Sequence, residues 1–232
     1  MSGGDTGAST RAPAGQRLRD SLVVLLAVGS GAVNITSFLV LGKVFSSVIT
    51  GNLVLLGLAA ASTQHGPALR SGLALAGYSA GVLIAAPIAA RGGRAIWSPA
   101  VTAALCAELC LLLAFTAGWE ANRQRPGWQL ALLILLAAAM GMQSAAVSRL
   151  GAMSSTHLTG VLAGVLAGLT GSGSSAGRWR DVSVLGAIVA GASVGAVIIR
   201  LAPAWLPALT LLPLTAVIAT ASTFRRGAAS AD

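Results

Sequence analysis

Long apolar runs dominate this chain, and short polar gaps mark where each run ends. A membrane-spanning helix needs about 20 mostly apolar residues. Six segments meet that length: 21–41, 69–90, 97–118, 129–149, 182–201 and 205–223. Two further segments, 44–63 and 153–170, are shorter and carry polar residues at their N-terminal ends. Trp97, Trp119, Trp128, Trp179 and Trp205 fall at or beside the predicted span ends, where an amphipathic indole prefers to sit. The predicted fold is an all-α polytopic membrane protein. It has six full transmembrane helices plus two short re-entrant or half-helix segments, each opened by Thr-Gly. The alternative is eight spans, four per half.

Composition narrows the class further. Hydrophobic residues make up 55% of the 232, charged residues 9%, and the mean hydropathy is +0.82. Soluble domains are about one quarter charged, so this chain lacks the polar surface of a water-facing globule. An ordinary soluble enzyme, a secreted disulfide scaffold and a disordered linker protein are excluded. The net charge of +9 does not point to nucleic acid, because the basic residues form no continuous face with interleaved aromatics. They sit in the polar gaps, where basic residues set membrane orientation. In a six-span arrangement with the N-terminus inside, Arg11, Arg17, Arg19, Arg91, Arg94, Arg178, Arg180, Arg225 and Arg226 are inside. Arg70, Arg123, Arg125 and Arg200 are outside, while Lys43 and Arg149 lie in the membrane region. Both termini are therefore expected in the cytoplasm. The first apolar run is longer than a cleaved leader's core, so it is read as a span that stays in place.

Residues 41–53 (LGKVFSSVITGNL) and 150–162 (LGAMSSTHLTGVL) share Leu, Gly, Ser, Thr, Gly and Leu in the same order. Gly81 recurs as Gly191, and Trp97-Ser-Pro-Ala-Val-Thr recurs as Trp205-Leu-Pro-Ala-Leu-Thr. Shared special residues in one order predict two tandem copies. The organisation is then a disordered cytoplasmic tail (1–19), transmembrane repeat 1 (20–118), a linker (119–128), repeat 2 (129–223) and a cytoplasmic tail (224–232). Three crossings per copy would make the copies inverted, a recurrent transporter design; four would make them parallel.

The unusual chemistry lies in 42–52 and 151–161. Each places a Gly, then hydroxyl side chains, then Thr-Gly before an apolar run. Thr50 and Thr159 are expected to cap half-helices by satisfying first-turn N–H groups. Irregular backbone at membrane depth is tolerated only inside protein or beside a wet cavity. Half-helix N-termini aimed inward suit an anionic or dipolar solute. The substrate-binding candidates are Ser46, Ser47, Thr50, Gly51 and Asn52 in the first segment and Ser155, Thr156, His157, Thr159 and Gly160 in the second. Asn34 and Gln143 join them from adjacent spans. The bland reading of both Thr-Gly segments is two capped hairpin helices near the interface.

The run from Asn34 to Gly57 (NITSFLVLGKVFSSVITGNLVLLG) resembles the signature of the YoaK family of bacterial integral membrane proteins. So do AMGMQSAAVSRLG from Ala139 and SSTHLTG ending at Gly160. The resemblance follows nearly the whole chain in order and spacing. It implies a multi-pass protein of the bacterial inner (plasma) membrane with about six spans, and a domain of unknown function. The family pattern commonly has Asp where this chain has Asn34, and Asn where it has Ser144. Without that carboxylate, a proton-coupled mechanism at residue 34 loses support.

Glu108 stands mid-span, where a carboxylate is rare and costly. It is the candidate for proton or charge handling, with Arg149 or Lys43 as a structural partner in the simpler reading. Arg149, also a charge-handling candidate, is otherwise a snorkelling residue. Cys106 and Cys110 share a helix face without further metal ligands, so buried small side chains are expected and no metal site. Gly77, Gly81, Gly191 and Gly195 fit close helix packing. The chain carries no HExxH, GxSxG or GxxxxGK[ST] pattern. Neither an enzyme nor a cofactor is therefore predicted. The expected function is a small-solute transporter or channel with a polar midplane site; the alternative is a non-transporting scaffold or lipid-binding protein. The expected partners are the lipid bilayer and a small anionic or dipolar solute, with a homo-oligomer left open.

Overall fold

The computed structural model describes residues 14–62, 65–93, 97–122, 127–151, 158–169 and 175–229. Among them the chain forms eight α-helices and no strand. In order these are α1 (Ala14–Val40), α2 (Ile49–Ala61), α3 (His65–Ala90), α4 (Pro99–Asn122), α5 (Trp128–Arg149), α6 (Leu158–Leu169), α7 (Ser175–Leu201) and α8 (Leu206–Ala229). Residues 14–19, expected in a disordered tail, are the first turns of α1, and α8 continues past 224 to Ala229. Residues 1–13 and 230–232 lie outside the described residues.

Among the described residues six helices are long and apolar enough to cross a bilayer: α1, α3, α4, α5, α7 and α8. At 1.5 Å per residue, the 13 residues of α2 and the 12 of α6 reach only about 20 Å and 18 Å. The hydrocarbon core is about 30 Å thick, so neither crosses it alone. Helix directions give the same count. Arg19 near the start of α1 donates to the Leu150 carbonyl just past α5, and Ser30 further along α1 donates to Gln143, earlier in α5. α1 and α5 therefore run antiparallel. That requires an odd number of crossings before α5: α1, α3 and α4 cross, and α2 does not. An eight-span arrangement would make them parallel.

The chain doubles back after α1. Leu41 and Lys43 donate to the Ser37 and Phe38 carbonyls, and Gly42 (φ 109°) and Lys43 (φ 64°) adopt left-handed backbone that ends the helix. By Ser46 and Ser47 the chain is hydrogen-bonded to Asn34, about 10 Å back along α1 from Leu41. α2 starts from that depth and rises beside α3.

α5 is the centre of the bundle: 67% of its span is buried, against 22% for α7. Since lipid is as apolar as leucine, helices associate through close packing and hydrogen bonds rather than hydrophobic exclusion. Glycines supply the close packing. Gly77 and Gly81 of α3 lie against Ile134, Ala137 and Ala138 of α5, and Gly141 of α5 lies against Tyr78 and Val82. On the other side, Gly191 of α7 meets Val28 of α1, Gly31 of α1 meets Ile188 and Ala192, and Gly195 meets Ile35. A methyl group at Gly31, Gly81, Gly141 or Gly191 would overlap backbone atoms of the partner helix.

α4 packs on α5 through a stripe at three- and four-residue spacing: Val101, Leu105, Glu108, Leu112, Phe115 and Trp119, all buried. Cys106 and Cys110 lie off that stripe and are exposed, free thiols. The expectation that they are buried is therefore wrong: they are on the face of α4 that no other helix covers. Trp128, Trp179 and Trp205 are exposed at helix ends as expected, whereas Trp119 is buried against Phe115 with ring centroids 6.2 Å apart. Two prolines, Pro87 in α3 and Pro213 in α8, sit inside helices, which neighbouring helices make tolerable in a membrane.

Candidate functional site

Several of the buried polar groups join in one seam. Asn34, on α1, has its carboxamide turned toward the returning chain. Its Oδ1 accepts from the Ser47 backbone N–H (3.1 Å) and the Ser46 hydroxyl (3.2 Å). Its Nδ2 donates to the Ser47 hydroxyl (2.7 Å) and to the Ser30 carbonyl (2.9 Å). One turn earlier, the Ser30 hydroxyl donates to Gln143 Oε1 on α5 (2.5 Å). Gln143 Nε2 then donates to Glu108 Oε1 on α4 (3.0 Å). The seam thus joins the loop, α1, α5 and α4 through Ser47, Asn34, Ser30, Gln143 and Glu108.

Asn34 and Ser30 reach one another because positions four apart share a helix face. Glu108 falls in the seam because it occupies the packing stripe of α4. Its second oxygen, Oε2, is buried and has no hydrogen-bond partner among the described residues. An unpaired polar atom in this setting costs roughly 1–3 kcal/mol; Arg70 Nε, the Ser71 hydroxyl and Trp119 Nε1 are the other buried side-chain atoms without a partner among the described residues. Neither Arg149 nor Lys43 pairs with Glu108. Arg149 is exposed in the last turn of α5, about 9 Å along that helix from Gln143. Its expected place beside Glu108 is not found, because Glu108 is buried at the height of Gln143 while Arg149 stands nearly two turns further on.

A cavity of about 190 Å³ opens at the other end of the seam. Ser30, Asn34 and Ser47 form its polar wall, and Ile35, Phe45 and Ile188 form its apolar wall. Val48, the N-cap of α2, also lines it, so the positive end of the α2 dipole adjoins the space. No charged side chain is among its lining residues.

The loop owes its shape to two residues. Asn52 is fully buried; its Oδ1 accepts from the Phe45 N–H (3.0 Å), and its Nδ2 donates to the Phe45 carbonyl (2.6 Å). Asn52 is thus a clamp on the loop rather than a lining residue. Ser37 adds a second brace by accepting from the Ser46 N–H (3.1 Å). Phe45 in turn stacks on Phe38, with centroids 4.9 Å apart.

Thr50 does not cap α2. The N-cap is Val48 without a side-chain bond, and Thr50 is the second helical residue, exposed to the outside of the bundle. Asn52 does not cap the helix either: it bonds Phe45, four residues before α2 begins, and so holds the loop instead. Gly51 packs against Val48 and Phe45. In the second half, Ser155, Thr156 and His157 lie outside the described residues. Thr159 falls in the first turn of α6, and Gly160 is exposed, with no described residue within 4 Å of where its Cβ would stand. The structure therefore brings together Asn34, Ser46, Ser47, Gln143 and Glu108 from the sequence-predicted set. It adds Ser30 and Ser37, which sequence reasoning missed. The available signal for Ser30 was its place four residues before Asn34.

Comparisons with known proteins agree with this architecture. Residues 22–221 match a family described as "Protein of unknown function (DUF1275)". The chain is also similar to the UPF0700 transmembrane protein YoaK of Bacillus subtilis (strain 168), with 37% identity over 155 residues, covering 66% of this chain and 68% of that one. No solved structure matches. By the extent of that match and the membrane fold described above, the chain belongs to the DUF1275 family, the YoaK family of transmembrane proteins.

Proposed function

We propose that this protein is a small-solute transporter or channel rather than an enzyme, and that its solute sits in the cavity beside Asn34. The single observation carrying this reading is the polar seam. A cavity walled by Ser30, Asn34 and Ser47 is wired through Gln143 to a buried carboxylate with a free oxygen. Structural interhelical bonding alone does not need a cavity at one end and an unpaired oxygen at the other. The volume is about six waters at roughly 30 Å³ each, so the solute is small. Without a lining cation, a neutral or dipolar solute fits better than an anion, and the α2 N-terminus suits its electronegative end.

Other features support the same reading. The glycine contacts on the two sides correspond at an offset of 110 residues: Gly81 on Ala138 matches Gly191 on Val28, and Gly141 on Tyr78 matches Gly31 on Ile188. With α1 and α5 antiparallel, this favours two inverted copies, the architecture of many transporters. We place the protein in the plasma membrane with both termini in the cytoplasm, on the distribution of its loop arginines.

The test is flux in proteoliposomes. Wild-type protein is expected to accelerate entry of at least one member of a panel of small amides, polyols, amino acids and urea. Asn34→Leu is expected to abolish that acceleration at unchanged insertion, because it makes the cavity's polar wall apolar and removes four hydrogen bonds. Panel-wide permeability equal to that of protein-free vesicles would count against transport.

A further inference from the structure

A second cavity, of about 320 Å³, lies between the end of α1, α2 and the start of α3, and nothing in the polar seam reaches it. Its polar contributors are Lys43, Arg70 and Ser71; Val44, Leu55 and Leu58 form its apolar side. Ser71 is fully buried, and its hydroxyl has no hydrogen-bond partner among the described residues. Arg70 Nε is buried and likewise unpartnered. The Arg70 stem lies across Gly42, where any Cβ would overlap it, so the glycine makes room for the guanidinium. Lys43 is held in left-handed backbone with its ammonium 5.2 Å from the Phe38 ring centroid. No carboxylate lines the cavity.

Two cations and a buried hydroxyl, none with an acidic partner among the described residues, form an unfilled set of donors. We infer that this cavity binds an oxyanion of the phosphate type, with Arg70 and Ser71 donating and Lys43 supplying further positive charge. A planar guanidinium and a hydroxyl are matched to phosphate oxygens. The apolar side, with Leu58 largely exposed, favours an anion carried on an acyl chain. The depth agrees: the 26 residues of α3 measure about 39 Å, so its second turn lies close to the headgroup level of a bilayer with a core of about 30 Å. The equivalent turn of α7 shows what a filled set looks like, since Arg180 there has Asp181 at 3.5 Å.

The experiment uses the delipidated full-length protein in maltoside detergent, with retained lipid counted by native mass spectrometry and stability followed by thermal unfolding. The probes are phosphatidylglycerol, phosphatidylcholine and inorganic phosphate. Phosphatidylglycerol is expected to stabilise the protein more than phosphatidylcholine. Arg70→Gln is expected to weaken its binding about tenfold or more, the scale of a hydrogen bond to a charged group. Lys43→Gln is expected to weaken it by less, and Arg180→Gln not at all. If inorganic phosphate stabilises and displaces the lipid, the site takes soluble oxyanions as well. If phosphate does neither, while the Arg70 dependence holds, the occupant is the lipid headgroup. Equal effects of the two lipids with no effect of phosphate would overturn the assignment. So would wild-type binding by the variants at 43 and 70. Should Arg70→Gln fail to fold, the variants at the exposed Lys43 and the half-buried Arg180 still decide between a site at this cavity and general attraction to basic residues.

Discussion

Arg70 and Arg180 each stand near the start of a spanning helix, yet only Arg180 has a carboxylate beside it. Similar contrasts run through the two halves of the molecule. Asn52 clamps the loop before α2, while Val161 stands 109 residues on, in α6. Glu108 is buried on α4, and Ala216 stands 108 residues on, in α8. The glycine contacts, by contrast, are alike on both sides. The lesson is that helix packing and chemistry are separable here. Small residues hold both helix pairs together by the same geometry, whereas among the described residues most buried polar and charged groups belong to the first half, with Gln143, Ser144 and Thr210 beyond it.

That separation can be broken experimentally, and the largest effects are expected in the frame. Gly81→Val and Gly191→Val should each cost about 3 kcal/mol, the upper range for overpacking, because each side chain would push two helices apart. Gly186→Val, with nothing within 4 Å of its Cβ position, should cost little. Denaturant titration in mixed micelles checks all three, and a loss confined to one of the two pairs would break the similarity between halves.

Next in size is the seam. Gln143→Leu should cost about 2–3 kcal/mol by leaving the Ser30 hydroxyl and both Glu108 oxygens unpaired. Glu108→Leu combined with Gln143→Leu should recover part of that loss, because removing both partners is cheaper than orphaning one. The same titration gives both values, and additive losses would show that the two side chains do not act as a pair.

Smaller still is the clamp. Asn52→Val, which installs the residue found at 161, should cost about 1–2 kcal/mol by freeing the Phe45 N–H and carbonyl, with faster hydrogen exchange at Phe45, Ser46 and Ser47. Unchanged exchange there would remove Asn52 from the account of the loop. The least effect is expected at Cys106 and Cys110. Their replacement by Ala should change stability by less than about 0.5 kcal/mol, and a lipophilic maleimide should label both in the folded protein. Protection of both thiols until unfolding would contradict the exposed face of α4.

The six long spans were legible from length and apolarity; the polar residues before α2 pointed to a return of the chain after α1 but left six or eight crossings open, a choice made by the antiparallel α1 and α5. Which face each helix buries was not. In a chain this apolar, a lipid-facing side and a protein-facing side read alike, so Cys106 and Cys110 were assigned to the interior. What marks the packed side of α4 is the spacing of Glu108 with Phe115 and Trp119. Ser30 escaped notice for a related reason. Most hydroxyls in these helices bond back into their own helix, as Thr36 does to the Ala32 carbonyl and Thr116 to that of Leu112. The one that reaches across to Gln143 is marked only by its place four residues before Asn34. Thr50 was misplaced by one turn chemistry standing in for another: a side-chain cap was expected at the helix start, and the amide of Asn52, inside the helix, holds the loop instead.

The account's central claim is that the cavity beside Asn34 is a binding site for a small polar solute. Thermal unfolding of the purified protein against a panel of ions, amino acids, organic acids, polyols and nucleobases tests it most directly, with Asn34→Leu run in parallel. A solute at 100 times its dissociation constant should stabilise the wild type by about 2.7 kcal/mol and leave the folded Asn34→Leu variant unmoved. Stabilisation that survives Asn34→Leu in full, or none from any member of the panel, would contradict the claim.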